Sequence, residues 1–278
     1  MKILITGSSS GIGRWLATHY AAAGHEVWGA ARRDQTDFAG EQKKLGQAFR
    51  ATPVDVSSWP DLEKLQKEIA RDWTHLDALI CCAGTQGPLG PAMKLSPQDW
   101  SRSLHVNLHG TFNTLLATHD LLARAPRRGK IVCFSGGGAT APRPFFTPYA
   151  VAKAGVVRMV ENLAHEWNGL RLDINALAPG AVNTRMTDEV IQAGPDVVGA
   201  VEHQKTLEQK TRGGTPLIKV GEVIDFLLSP ESDGITGRLI SGLWDPYRSL
   251  PARRDALAKS EIYTLRRIVP EDRDLQWE

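Results

Sequence analysis

Three cysteines among 278 residues are too few and too poorly spaced for most cysteine chemistry. Cys81 and Cys82 are adjacent, and Cys133 stands alone. None has the paired spacing of a zinc site, and adjacent cysteines do not form a routine disulfide. All three lie in short apolar runs, the setting of buried thiols in a reducing compartment, so a cytoplasmic protein is expected. Among the eight histidines there is no H-E-x-x-H or comparable group, and no metal is expected. The sequence has no run of about 18 apolar residues, so no helical membrane span is expected. Met1 to Thr6 is too short for the apolar core of a signal peptide. Charge of one sign is also lacking: 33 Lys and Arg face 31 Asp and Glu, a net +2. That balance disfavours nucleic acid or a membrane as partner, so any anion must be bound by local groups.

The composition is that of a globular protein with a sizeable core, at 42% hydrophobic and 23% charged residues. Short apolar runs predict strands at Lys2–Thr6, Glu26–Ala31, Ala48–Val54, Ala78–Cys82, Lys130–Ser135, Leu170–Leu177 and Arg238–Ser241. Between them lie amphipathic stretches such as Pro60–Trp73, Pro97–Ala123 and Pro148–Asn168. Ser58 and Ser96 stand beside prolines, with carboxylates following, as helix-start signals. This alternation predicts an α/β fold: a Rossmann-like, doubly wound parallel sheet of about seven strands with helices on both faces. One domain is expected over residues 1–245. Its polar, glycine-punctuated, poorly periodic segment 183–214 is read as a lid over a site. Residues 246–278 are read as a charged extension, solvated or packed on a partner.

The first strand runs into Thr6-Gly7-Ser8-Ser9-Ser10-Gly11-Ile12-Gly13. Glycines between a strand and a helix let backbone approach a phosphate, and the helix N-terminus adds free N–H groups and a positive dipole end. The spacing is G-x-x-x-G-x-G, not G-x-G-x-x-G. It resembles the first loop of the short-chain dehydrogenase/reductase family, T-G-x-x-x-G-x-G. Gly7, Ser9, Ser10, Gly11, Ile12 and Gly13 are therefore candidate cofactor contacts.

The second strand ends in Arg32-Arg33-Asp34, where such folds meet the adenosine ribose. Arginine suits the 2′-phosphate of NADP through forked, charge-assisted bonds, so NADP(H) is the expected cofactor. NAD(H) held through Asp34 is the alternative. The resemblance implies that Asp55 and Val56 meet the adenine, although Asp55 could also cap the next helix.

Tyr149 and Lys153 have Y-x-x-x-K spacing and so share a helical face. A phenol titrates near ~10, and bringing it close to neutrality requires about 3–4 kcal/mol of phenolate stabilisation. A lysine ammonium one turn away has the right sign and scale. The resemblance now covers Lys2 to Gly242 and implies a proton donor at Tyr149 assisted by Lys153. It also implies that Asn107 holds a water in a proton relay and that Pro179, Gly180, Val182 and Thr184 contact the nicotinamide end. Two departures stand out. The family's N-N-A-G reads Cys81-Cys82-Ala83-Gly84 here, which keeps the close backbone approach at Ala83 and Gly84. Where the family ends a strand with two serines, the second catalytic, this chain has Ser135-Gly136. Ser135 is the expected carbonyl-polarising hydroxyl, with Thr147 or glycine-run N–H groups as alternatives.

The expected function is hydride transfer between NADP(H) and a small-molecule carbonyl or alcohol. Arg143, Phe145, Phe146, Arg185 and Met186 are placed at the substrate mouth, a set suited to an anionic or carrier-bound substrate. An NAD-linked alcohol dehydrogenase and a non-catalytic NADP-binding regulator are the rival readings. The family resemblance implies a homodimer or homotetramer packed through the helices of Asn107 and Tyr149.

Overall fold

The computed structural model describes residues 1–276. In chain order its strands are β1 (Lys2–Thr6), β2 (Glu26–Ala31), β3 (Phe49–Pro53), β4 (Ala78–Cys81), β5 (Gly129–Phe134), β6 (Leu172–Ala178) and β7 (Leu239–Ser241). The helices are α1 (Gly11–Ala22), α2 (Thr36–Lys44), α3 (Trp59–Asp72), α4 (Pro97–Leu104), α5 (Gly110–Ala123), α6 (Thr147–Glu166), α7 (Arg185–Ala193), α8 (Pro195–Val198), α9 (Ala200–Arg212), α10 (Leu217–Leu228) and α11 (Arg254–Ala258). The strands form one sheet in the order β3-β2-β1-β4-β5-β6-β7, with every pair parallel. The order reverses between β1 and β4, which opens a crevice above the strands' C-terminal ends.

Because side chains alternate along a strand, β1 sends Ile3 and Ile5 to one face and Leu4 to the other. Leu16 and Tyr20 of α1 and Val220, Val223 and Ile224 of α10 cover the first face. Leu62, Leu65 and Ile69 of α3, Leu115 of α5 and Val156, Val157 and Val160 of α6 cover the second. Both faces are buried, which is why the strands read as near-continuous apolar runs. Ser58 and Ser96 cap α3 and α4 by accepting from Asp61 and Asp99 N–H groups, each beside a first-turn proline. Among the described residues no helix is long and apolar enough to cross a membrane.

Three stretches differ from the sequence expectation. Pro97–Ala123 is not one continuous α-helix, because a wide turn at His105–His109 separates α4 from α5. A π-type turn of this kind recurs at functional positions, and Asn107 lies inside it. Residues 183–214 are helical in three pieces, divided by Gly194 and Gly199, each at φ +80°. α7 and α8 are short and α9 is polar along nearly its whole length, so no apolar period stands out in the sequence. The charged tail returns to its own fold: Leu250 and Leu257 are buried in the α1–α10 core. It also covers the outer edge of β7. The Leu239 N–H donates to the Tyr263 carbonyl at 2.8 Å, and the Ser241 N–H donates to Asp245 Oδ2 at 2.6 Å. An edge strand so occupied cannot pair with another chain.

Candidate active site

A cleft of about 250 Å³ opens where the strand order reverses, and its first wall is the glycine loop. Gly7 turns through φ +73°, and a Cβ there would lie 2.8 Å from Ala83 Cα. A Cβ on Gly13 would lie 2.4 Å from the Gly7 carbonyl oxygen, so only glycine lets α1 start this close to β1. Ser10 occupies the N-cap without a side-chain capping bond, which leaves the first N–H groups of α1 open. Ser9, Ser10, Gly11 and Ile12 line the cleft, while Gly13 packs behind it. Buried Ser8, which the sequence reading passed over, donates to Gln35 Oε1 at 2.8 Å and ties this loop to the end of β2.

That strand end carries Arg32 and Arg33, both exposed and both lining the cleft. Neither has an ion pair or side-chain hydrogen bond among the described residues. Asp34 does not line the cleft. Its Oδ1 accepts from the Thr36 hydroxyl at 2.6 Å and the Thr36 N–H at 2.9 Å, bonds that hold the carboxyl below the usual carboxylate range. Asp55 and Val56 line the same end. Asp55 Oδ1 accepts from Ser57 N–H and Oγ, so this carboxylate also shapes the turn into α3.

The rear wall is built by Cys82, Ala83, Gly84 and Thr85. Cys82 was read as a buried thiol, but it lines the cleft, and burial pushes it up to about 12 against the opposing influence of Lys153. The signal available in the sequence was its position where the family places an asparagine. Asn107 is fully buried behind this wall and does not line the cleft. Its Oδ1 accepts the Thr85 N–H at 3.1 Å, and its Nδ2 donates to the carbonyls of Thr85 and Ser103, each at 3.0 Å. The amide clasps the loop after β4 to the wide turn of α4–α5.

Tyr149 and Lys153 project from the first turns of α6 into the cleft. Lys153 Nζ donates to the Phe134 carbonyl at 2.8 Å and lies 5.7 Å from the Tyr149 ring centre. Burial draws Lys153 down to about 8. Burial also pushes the Tyr149 phenol up, Arg143 opposes that, and Cys82 adds to it. The expected lowering of the phenol by Lys153 is therefore not what this geometry produces. Desolvation outweighs the opposing charge of Arg143, and the Lys153 ammonium is engaged by a carbonyl.

Ser135 follows β5, lines the cleft, and is buried with an Oγ that has no partner among the described residues. A Cβ on Gly136 would lie 2.4 Å from the Tyr149 hydroxyl. The position of the family's second serine is thus filled by the tyrosine itself. Thr147 faces a shallow surface on the other side of the loop and does not line the cleft.

The front wall follows β6. Pro179 and Thr184 line the cleft, and Thr184 caps α7 by accepting from the Met186 N–H at 3.3 Å. Gly180 and Val182 stand behind: a Cβ on Gly180 would meet Thr215 and Leu243 at 2.6 Å, and the Val182 carbonyl accepts from Thr187. Arg185, Met186 and Glu189 of α7 form the mouth. Arg143, Phe145 and Phe146 lie instead in the seam beneath α7–α9. Phe146 is fully buried with Val190 and Val198, and Arg143 bonds Glu202 of α9.

The profile of the short chain dehydrogenase family matches residues 1–194. A 3-oxoacyl-(acyl-carrier-protein) reductase, FabG, of Thermotoga maritima is 29% identical over 85% of this chain and 94% of its own length. A (3R)-3-hydroxyacyl-CoA dehydrogenase of Mus musculus is 30% identical over 84% of this chain and 91% of its own. One longer relative is matched over only 43% of its length. Among solved structures, a short chain dehydrogenase of Shigella flexneri complexed with NADP superposes with a TM-score of 0.75 at 24% identity, over 87% of this chain and 96% of that one.

Proposed function

This chain belongs to the short-chain dehydrogenase family, and from that premise we propose that it is an NADP(H)-dependent oxidoreductase interconverting a carbonyl and a secondary alcohol. The observation that carries the proposal is one cleft joining a glycine cradle, two unpaired arginines, the Tyr149–Lys153 pair and an orphaned Ser135 hydroxyl. These residues fit the cofactor: Gly7 and Gly13 let the loop pack tightly enough to turn the open N–H groups of α1 towards a pyrophosphate, and Arg32 and Arg33 would offer guanidinium groups to a 2′-phosphate. Asp34, which an NAD-linked enzyme would use, is already committed to Thr36. When bound, NADPH supplies the hydride.

Tyr149 gives its proton to the oxygen of the carbonyl under reduction and takes it back in the reverse direction. The Ser135 Oγ, with no partner of its own, donates to that same oxygen. Lys153 gives one N–H to Phe134, and its remaining N–H groups would hold the cofactor ribose. Asn107 keeps the rear wall in place and so supports the proton relay that the family implies. The helices of 183–214 act as a lid that excludes water from the transfer. Three free cysteines among the described residues support a reducing, cytoplasmic setting. Phe112 and Leu116 of α5 and Val151 of α6 are large exposed apolar side chains, and they support a homo-oligomer packed through these helices.

The test is NADPH oxidation over a panel of ketones, acyl thioesters and sugars. Tyr149→Phe should abolish turnover while leaving NADPH binding largely intact. Turnover retained in that variant would exclude Tyr149 as the donor, and NADPH binding without turnover across the panel would favour a regulator.

A further inference from the structure

We infer that Arg143 is a positioning residue for Tyr149, presenting a charge at Gly137, next to the residue that stands where the family places its second serine. The inference rests on the reading of Tyr149 as proton donor. Its basis is the triglycine run after Ser135. Gly136 leaves room for the Tyr149 hydroxyl, 2.4 Å from where a Cβ would stand. Gly137 leaves room for Arg143, whose Nη1 lies 3.5 Å from the corresponding Cβ position. Phenol and guanidinium therefore rest against adjacent residues, both lacking side chains.

Arg143 is held there by the lid. Its Nε and Nη2 both donate to Glu202 Oε1, at 2.9 and 2.6 Å, and its guanidinium stacks 3.8 Å over the buried Phe146 ring. Nη1, the group next to Gly137, makes no hydrogen bond among the described residues. The next residues are fixed as well: Phe145 turns through φ +69°, its carbonyl accepts from the Gly90 N–H at 2.9 Å, and its ring abuts Gly199. The charged and titratable groups around the phenol are Lys153 on its own helix, Cys82 after β4, Arg143 with Glu202 behind it, and Arg185 and Glu189 of α7 on the same cleft. Of these, Arg143 opposes the upward push of burial on Tyr149. Since Glu202 belongs to α9, the charge near the tyrosine depends on the lid being seated.

The test is a difference titration of tyrosine ultraviolet absorbance, each protein against its own Tyr149→Phe counterpart, which isolates one phenol of four. Arg143→Gln should move the Tyr149 midpoint to higher pH, and Arg143→Lys should keep it close to the unmodified chain. Glu202→Gln, which loosens the guanidinium, should also move it upward. With a turnover substrate in hand, alcohol oxidation by Arg143→Gln at neutral pH should fall roughly three- to tenfold, the scale of one charge acting through partly wet protein. An unmoved midpoint in a folded Arg143→Gln overturns the inference. So does a downward move in Glu202→Gln, which would mean that the carboxylate only screens Arg143. Absence of any Tyr149-dependent turnover would instead remove the reading on which the inference rests, and the titration separates the two failures.

Discussion

Placing serine at Gly136 restores the family's usual residue, so sequence logic alone expects a better enzyme. The geometry predicts the opposite. A Cβ there would stand 2.4 Å from the Tyr149 hydroxyl and 3.1 Å from two of its ring carbons. The hydroxyl would have to retreat by about 1 Å to reach an ordinary contact. Tyr149 is buried in the first turns of α6, on the same cleft as Phe134 and Ser135. Overpacking of such a site costs about 1–3 kcal/mol. At roughly 2–4 °C per kcal/mol for a chain of this size, the melting temperature of Gly136→Ser should fall by about 2–12 °C. A catalytic group misplaced by ~1 Å loses on the order of a hundredfold in rate, so turnover should collapse although every proposed catalytic side chain is present. The assay is a thermal melt paired with NADPH turnover. The cost in stability should shrink in a Tyr149→Phe background, where the shortest contact has no partner. Full turnover with an unchanged melt in the single variant would refute the reasoning.

Other outcomes follow from the same cleft. Replacing Arg32 and Arg33 with alanine should weaken NADP(H) binding by about 1.5–3 kcal/mol for each charged bond lost, with little change for NAD(H); an unchanged preference in calorimetric titrations would rule out the phosphate role. Lys153 titrates at about 8 when folded against an ordinary 10.5, so the folded chain holds fewer protons across that window. Its burial therefore costs most stability below pH 8, and the cost fades as pH rises towards 10.5. Melting curves of the unmodified chain and Lys153→Met should shift relative to each other across that window, the unmodified chain gaining on the variant as pH rises, and a constant offset would contradict the assignment. Charging the α5 face with Phe112→Glu and Leu116→Glu should reduce the assembly seen in sedimentation while the circular dichroism spectrum stays native; an unchanged assembly would place the interface elsewhere.

What could be read from the sequence was local. The strands appear as apolar runs because both faces of a parallel sheet are buried. Ser58 and Ser96 mark helix starts because a cap bonds only three residues ahead. The glycine loop and the Tyr149–Lys153 spacing are legible because each is completed within a single turn or loop. Even the anomaly at Gly136 could be seen, although not its reason.

The tertiary structure decided whatever depends on residues brought together from far along the chain. Gly136 is required because α6 delivers the Tyr149 hydroxyl to it. Asn107 turns out to be a clasp because Thr85 approaches from the loop after β4. Arg143 leaves the substrate mouth for the seam beneath α7–α9 because Glu202 meets it there. The directions of Tyr149 and Lys153 were beyond the sequence for the same reason: desolvation is set by the whole packed surroundings, and here it exceeds the opposing influence of Arg143 on the phenol and of the cysteines on the ammonium.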